Sequence, residues 1–340
     1  MATKSSRTST TFARHVAPFA PLALAVAMNA VPASTGGNAA VSENVTPDNV
    51  TAVRCEENIA DFQACHENYP TGCSAAAGYD PYLNYLKNLT PSPGAGVNFL
   101  AQSDFDNLNT NTPSDLGQGN NHADYKEQLA NLGEGRQFGV IGYLYYYQAT
   151  GAESSNCELT GPDAEGGNVD FHIGIGFDSD LAAKVDGRAK PAAALKKQLQ
   201  QNSVIVEMTP HYRAQFHAND WTLANLKPAL GHKVRVIGQL LVDSEHNKPA
   251  DNCALEDKTA HCWRYSIWEL HPVTVFEYCQ DDSCTQGSDN WIPIGGTASA
   301  GNPSSGDNSG DSTGGEAGAG RRPRGTTRTA TPRSDSAARP

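Results

Sequence analysis

The chain has 340 residues, 38% of them hydrophobic, and a formal net charge of −12. That leaves room for one or two domains plus tails, with much of the chain outside any core. Thirteen acidic residues against three basic ones between 41 and 135 concentrate the acidity there, which argues against general binding to a phosphate backbone but not against a local basic groove.

Residues 1–33 read as a signal peptide. Lys4, Arg7 and Arg14 form a positive region, Val16 to Ala27 an apolar one, and Ala25-Val26-Ala27 or Val31-Pro32-Ala33 a small-residue cleavage site. The expected location is therefore secreted or periplasmic. No other segment approaches the roughly 20 apolar residues needed to span a bilayer, so no transmembrane segment is expected. Eight cysteines behind an export signal imply disulfides rather than stored thiols. Short loops favour Cys253–Cys262 and Cys279–Cys284, leaving Cys55, Cys65, Cys73 and Cys157 to pair among themselves.

Residues 34–54 are small and polar and read as a flexible lead-in. Asn44-Val45-Thr46, Asn49-Val50-Thr51 and Asn88-Leu89-Thr90 match the glycosylation acceptor pattern, as chance matches would in so Asn-rich a chain. Residues 55–135 read as a helical, disulfide-containing subdomain. Ile59, Phe62 and Cys65 recur at helical spacing, and Tyr82, Leu83, Tyr85, Leu86 and Leu89 form a second stripe. Short helices are expected over Asp104 to Asn111 and Asp124 to Leu132, the latter ended by Gly133. This subdomain carries too little apolar surface to stand alone, so it is expected to pack on the segment C-terminal to it.

From 136 the pattern changes to strand alternation. Strands are expected at Phe138 to Tyr147, Asp170 to Phe177, Ser203 to Thr209, Val234 to Val242, and Arg264 to His271 running on to Tyr278. Helices are expected at Pro191 to Gln200 and at Thr222 to Leu230, with Asp220 or Thr222 as cap and Gly231 as stop. Gly142 and Gly238 suit sharply coiled barrel strands. Three strands, a helix and two strands make residues 136–294 resemble an OB-fold, a five-stranded Greek-key barrel with a helix between its third and fourth strands. Asp170-Phe171-His172-Ile173, Val206-Glu207-Met208-Thr209-Pro210 and Trp268-Glu269-Leu270-His271-Pro272 are similar to segments of secreted bacterial OB-fold proteins of unassigned function. The expected fold class is thus α+β: an OB-like barrel, a helical N-terminal subdomain, and a disordered Gly/Ser/Arg-rich tail over 295–340 whose arginines suit contact with an anionic surface.

Alternation puts Phe171, Ile173 and Ile175 on one face of the second strand and His172, Gly174 and Gly176 on the other. Glu207 on the third strand and Glu269 and His271 on the fifth fall on the same side as His172. OB pairing would therefore gather His172, Glu207, Glu269 and His271 on one outer face, with His211 and Glu245-His246 near its edge. This face supports two functions. One is an exported binding module taking a small molecule, glycan or single-stranded nucleic acid. In it, His172, Glu207, His271, Tyr145 and Trp263 contact the ligand, Gly174 and Gly176 leave a flat floor, and the loops Gln148 to Val169 and Asp243 to His261 form the rim. The alternative is a metal-assisted ester or phosphodiester hydrolase, with zinc or another divalent ion on His172, Glu207 and His271 and Glu269 as the catalytic base. Gly133-Glu134-Gly135-Arg136 lacks a phosphate-loop lysine and is only a turn.

Overall fold

Five stretches of alternating apolar residues close on themselves into a barrel. The computed structural model describes residues 47–56, 58–76, 78–161, 167–185 and 191–296. The expected signal peptide, most of the lead-in, and the tail from 297 onward lie outside the described residues.

In chain order the elements are helices α1 (Phe62–Asn68) and α2 (Pro81–Lys87), strand β1 (Phe99–Leu100), and helices α3 (Gln102–Asn111) and α4 (Lys126–Leu132). Strands β2 (Gln137–Ala149) and β3 (Phe171–Gly176) come next, then helices α5 (Ser179–Ala182) and α6 (Ala193–Gln201) and strand β4 (Ser203–Met208). After helices α7 (Pro210–Phe216) and α8 (Leu223–Leu226) come strands β5 (Lys233–Val242), β6 (Trp268–Cys279) and β7 (Ile292–Pro293).

Antiparallel pairs β2–β3, β3–β4, β5–β6 and β2–β5, with a parallel β4–β6 contact, complete the ring. This is the OB-like closure, with α7 and α8 between the third and fourth barrel strands. The inserted α5 and α6 leave the β3–β4 pairing whole, from Phe171 opposite Met208 to Gly176 opposite Ser203. At Gly238, in a β5–β6 irregularity, a Cβ would lie 2.8 Å from the Pro272 carbonyl oxygen, so the strands approach too closely there for a side chain.

Phe171, Ile173, Val204, Val206, Val236 and Leu270 fill the interior, every one of them 1% exposed or less. Phe105 and Leu108 of α3, Leu116, and Leu129 of α4 belong to that same apolar cluster. The second half of the helical segment thus completes the barrel's core, while Tyr82, Leu83 and Leu86 of α2 cluster with Leu241, and Ile59, Cys65 and Tyr69 gather around the disulfides.

The local signals for the helices are direct. Asp80 Oδ1 accepts from the Tyr82 and Leu83 amides ahead of Pro81 at the first position of α2. Gly133, at φ +119°, ends α4. Helix α7 is not among the helices expected from the sequence, although Thr209 caps it through the Tyr212 amide and Pro210 opens it. The last long strand begins at Trp268 and not Arg264, because residues 264–267 bend away to close the preceding loop; Arg264 bridges Asn252 there.

The eight cysteines form Cys55–Cys73, Cys65–Cys157, Cys253–Cys262 and Cys279–Cys284. Asn88 is only 4% exposed and donates to the carbonyls of Asn84 and Ser155.

Candidate functional site

The site begins with register. His172 and Glu207 face each other directly across β3 and β4. Val206 lies beside Leu270 in the parallel pair, so its outward neighbour Glu207 stands next to Glu269 and His271. His172 Nε2 is 2.7 Å from Glu207 Oε1, and His271 Nδ1 is 3.2 Å from both Glu207 Oε2 and Glu269 Oε1. The four residues do share an outer face of the barrel. That face is covered, however: Glu207, Glu269 and His271 have no exposed surface.

Four further residues close the arrangement. Arg264 Nη1, delivered by the loop that Cys253–Cys262 braces, reaches Glu269 Oε2 and Asp243 Oδ2, each at 3.2 Å. Lys87, in the last turn of α2, sets its ammonium 3.6 Å from Asp243 and 3.8 Å from Glu153. Glu153 returns to His172 at 3.8 Å. Four bases and four acids thus alternate around a closed circuit: Lys87, Asp243, Arg264, Glu269, His271, Glu207, His172 and Glu153. The contacts behind are 2.7–3.2 Å, whereas the three involving Lys87 or Glu153 are 3.6–3.8 Å.

Burial opposes charge on every member, and opposite charges decide the outcome. The Lys87 ammonium is penalised by burial, but Asp243 and then Glu153 lift its pKa well above the usual lysine value. His172 is likewise raised, because Glu207 outweighs the desolvation. Glu207, flanked by two imidazoles, is held well below the carboxylate range despite its burial. Glu269 moves the other way, raised by burial and by the neighbouring Glu207 and Asp243 charges. Asp170, adjoining the circuit, is pushed up to about 7 by burial and by Glu153.

A cleft of about 490 Å³ opens onto the looser side of the circuit, where Lys87, Glu153, His172 and Asp243 form its floor. Asn84, Gln148, Gln200, His246 and Trp263 wall it. Glu207, Glu269 and His271 lie behind His172 and do not line it. Trp263 is a wall and not an open platform: His172, His246 and the Arg264 guanidinium all contact its ring, and Asp251 accepts its indole N–H. Tyr145 is elsewhere, 1% exposed in a cluster with Leu181 and Leu199, with its hydroxyl donating to the Asp178 carbonyl. The flat floor expected at Gly174 and Gly176 is filled: Cβ atoms there would lie 2.2 Å from the Tyr146 ring and 1.8 Å from the Tyr145 ring. His211 is on α7, away from the circuit, packed against His66 with ring centres 3.7 Å apart. Glu245 and His246 do reach the rim.

The expected ligand triad of His172, Glu207 and His271 does not converge on one point, because the two imidazoles take opposite oxygens of Glu207. Sequence reasoning missed Lys87, Glu153, Asp243 and Arg264; the only signal was that a lysine and an arginine flank apolar runs in an acidic protein. No protein-family model matches this chain, and neither a curated protein nor a solved structure does. No helix among the described residues is long and apolar enough to cross a membrane.

The His211–His66 contact makes one testable statement about pH. Burial and the neighbouring His66 lower the His211 pKa from 6.5 to about 4. The unfolded chain therefore binds the extra proton first, so this contribution is complete above pH 6.5 and is lost as pH falls towards 4. The swing is about 3 kcal/mol. Urea unfolding of wild type and His211→Phe across pH 4–7 should show the variant losing that part of the acid sensitivity.

Proposed function

We propose that this chain is an exported binding protein whose cleft takes a small hydroxylated ligand of roughly monosaccharide to disaccharide size. The observation that carries the reading is the state of Lys87. Its side chain is 7% exposed and faces the cleft, yet the two carboxylates paired with it stand at 3.6 and 3.8 Å, outside hydrogen-bond reach. A largely buried ammonium held only by longer ion pairs gains from a close acceptor, and a ligand oxygen in the cleft supplies one. The amides of Gln148 and Gln200 and the carboxylate of Glu153 suit hydroxyl groups around it. Single-stranded nucleic acid is a poorer fit, since Glu153, Asp243 and Glu245 face the cleft and Trp263 is already engaged. The predicted signal peptide and the four disulfides support a secreted or periplasmic location, in keeping with the resemblance to secreted bacterial OB-fold proteins.

The hydrolase reading draws less from this arrangement, because Glu269 is fully buried between Arg264 and His271 with no opening to the cleft. Thermal-shift screening against sugars, sugar acids and polyols tests the binding proposal. A ligand that raises the wild-type midpoint should bind Lys87→Met at least about tenfold more weakly, the loss of one charge-assisted hydrogen bond. Equal binding to folded Lys87→Met, or silence across the panel, overturns it.

A further inference from the structure

Behind the circuit, one place holds polar atoms that no hydrogen bond from the described residues satisfies. Asp170, Glu207 and His271 each bring a ligand atom within 4.8 Å of the other two, and all three are buried, none more than 1% exposed. Asp170 Oδ1 and His271 Nε2 lack any hydrogen-bond partner among the described residues. The second polar atom of each is occupied. Asp170 Oδ2 accepts from the Asn156 amide at 2.8 Å, and His271 Nδ1 faces Glu269 and Glu207.

We propose that Asp170, Glu207 and His271 bind a divalent metal ion of the zinc class. The imidazole is set up as such ligands usually are, with Nδ1 held by the Glu269 carboxylate so that Nε2 can take the ion in exchange for its proton. One nitrogen and two carboxylate oxygens suit a borderline ion such as zinc, cobalt or manganese. The set differs from the triad expected from sequence: Asp170, at the mouth of β3, takes the place of His172, which lies on the far side of the Glu207 carboxylate. None of the three residues lines the cleft. The ion is therefore structural, joining the start of β3 to β4 and β6, and it does not depend on the identity of the cleft's ligand. An unfilled pair of buried polar atoms costs free energy in the folded state, and an ion there removes that cost.

The test uses the whole protein, stripped with chelator and titrated separately with Zn²⁺, Co²⁺ and Mn²⁺. One equivalent of at least one ion should bind and raise the melting midpoint, and Co²⁺ should show the visible absorption of a low-symmetry site. His271→Asn keeps a donor for Glu269 where Nδ1 stood but removes Nε2. Asp170→Asn keeps an acceptor for Asn156 while weakening the ligand. Both should lower affinity by more than about 100-fold, with the stripped proteins still showing a cooperative melt. Should His271→Asn fail to fold, Asp170→Asn and the wild-type stoichiometry still decide the matter. No stoichiometric binding by stripped wild type, or unchanged affinity in a folded variant, overturns the proposal; an internal water bridging the two atoms is then the occupant.

Discussion

Arg264→Met should lower stability by about 3–5 kcal/mol in urea unfolding, and the deficit should persist in high salt. Arg264 has no exposed surface, and its Nη1 lies 3.2 Å from both Asp243 and Glu269. Methionine fills much of the same volume, so packing changes little. What changes is that two buried carboxylates lose their shared cation, and removing one partner of a buried pair costs far more than the intact pair contributes. Ions in solution screen exposed charges but reach this one poorly. Combining Arg264→Met with Glu269→Gln should recover part of the loss, since the second change removes one stranded charge. A single variant within about 1 kcal/mol of wild type would show that the circuit is not closed as described.

Removing Cys65–Cys157 should have an effect of similar size by a different route. The two cysteines are 92 residues apart, so the bond constrains a long stretch of the unfolded chain, and Cys65→Ala/Cys157→Ala should lose roughly 4–5 kcal/mol. The corresponding Cys55/Cys73 double variant, closing 18 residues, should lose only about 3 kcal/mol. The order of these two losses is the measurement to make. The longer bridge also anchors Glu153 and Ser154 at the lip of the cleft, where Cys157 N–H donates to the Ser154 carbonyl. Its loss should weaken any cleft ligand as well as the fold.

Much of the barrel was legible because period-two alternation in a half-buried strand is a strong signal. Phe171, Ile173, Val204, Val206 and Leu270 face inward as the pattern requires. The same alternation, combined with OB pairing, brings His172, Glu207, Glu269 and His271 together from sequence alone. Their burial was not legible, because what covers them comes from far away in sequence: α2, the loop after β2, and the loop before β6. Lys87 sits in a helix whose apolar stripe reads equally well with its lysine in solvent. Arg264 reads as the start of a strand, and nothing local marks it as the centre of a loop that folds back. Tyr145 and Tyr146 mislead for a related reason. A glycine facing out from a strand looks like open floor, but here the rings of the neighbouring strand lie over it.

The burial of Asn88 bears on how this protein can be made. In a eukaryotic secretory host, the oligosaccharide-transferring enzyme meets Asn88-Leu89-Thr90 while the chain is still extended and the amide is free. A sugar attached then cannot be accommodated where the Asn88 side chain must donate to the Asn84 and Ser155 carbonyls, between α2 and the cleft lip. A bacterial periplasm offers the oxidising conditions the four bridges need without that attachment, and is the better place to produce the folded chain.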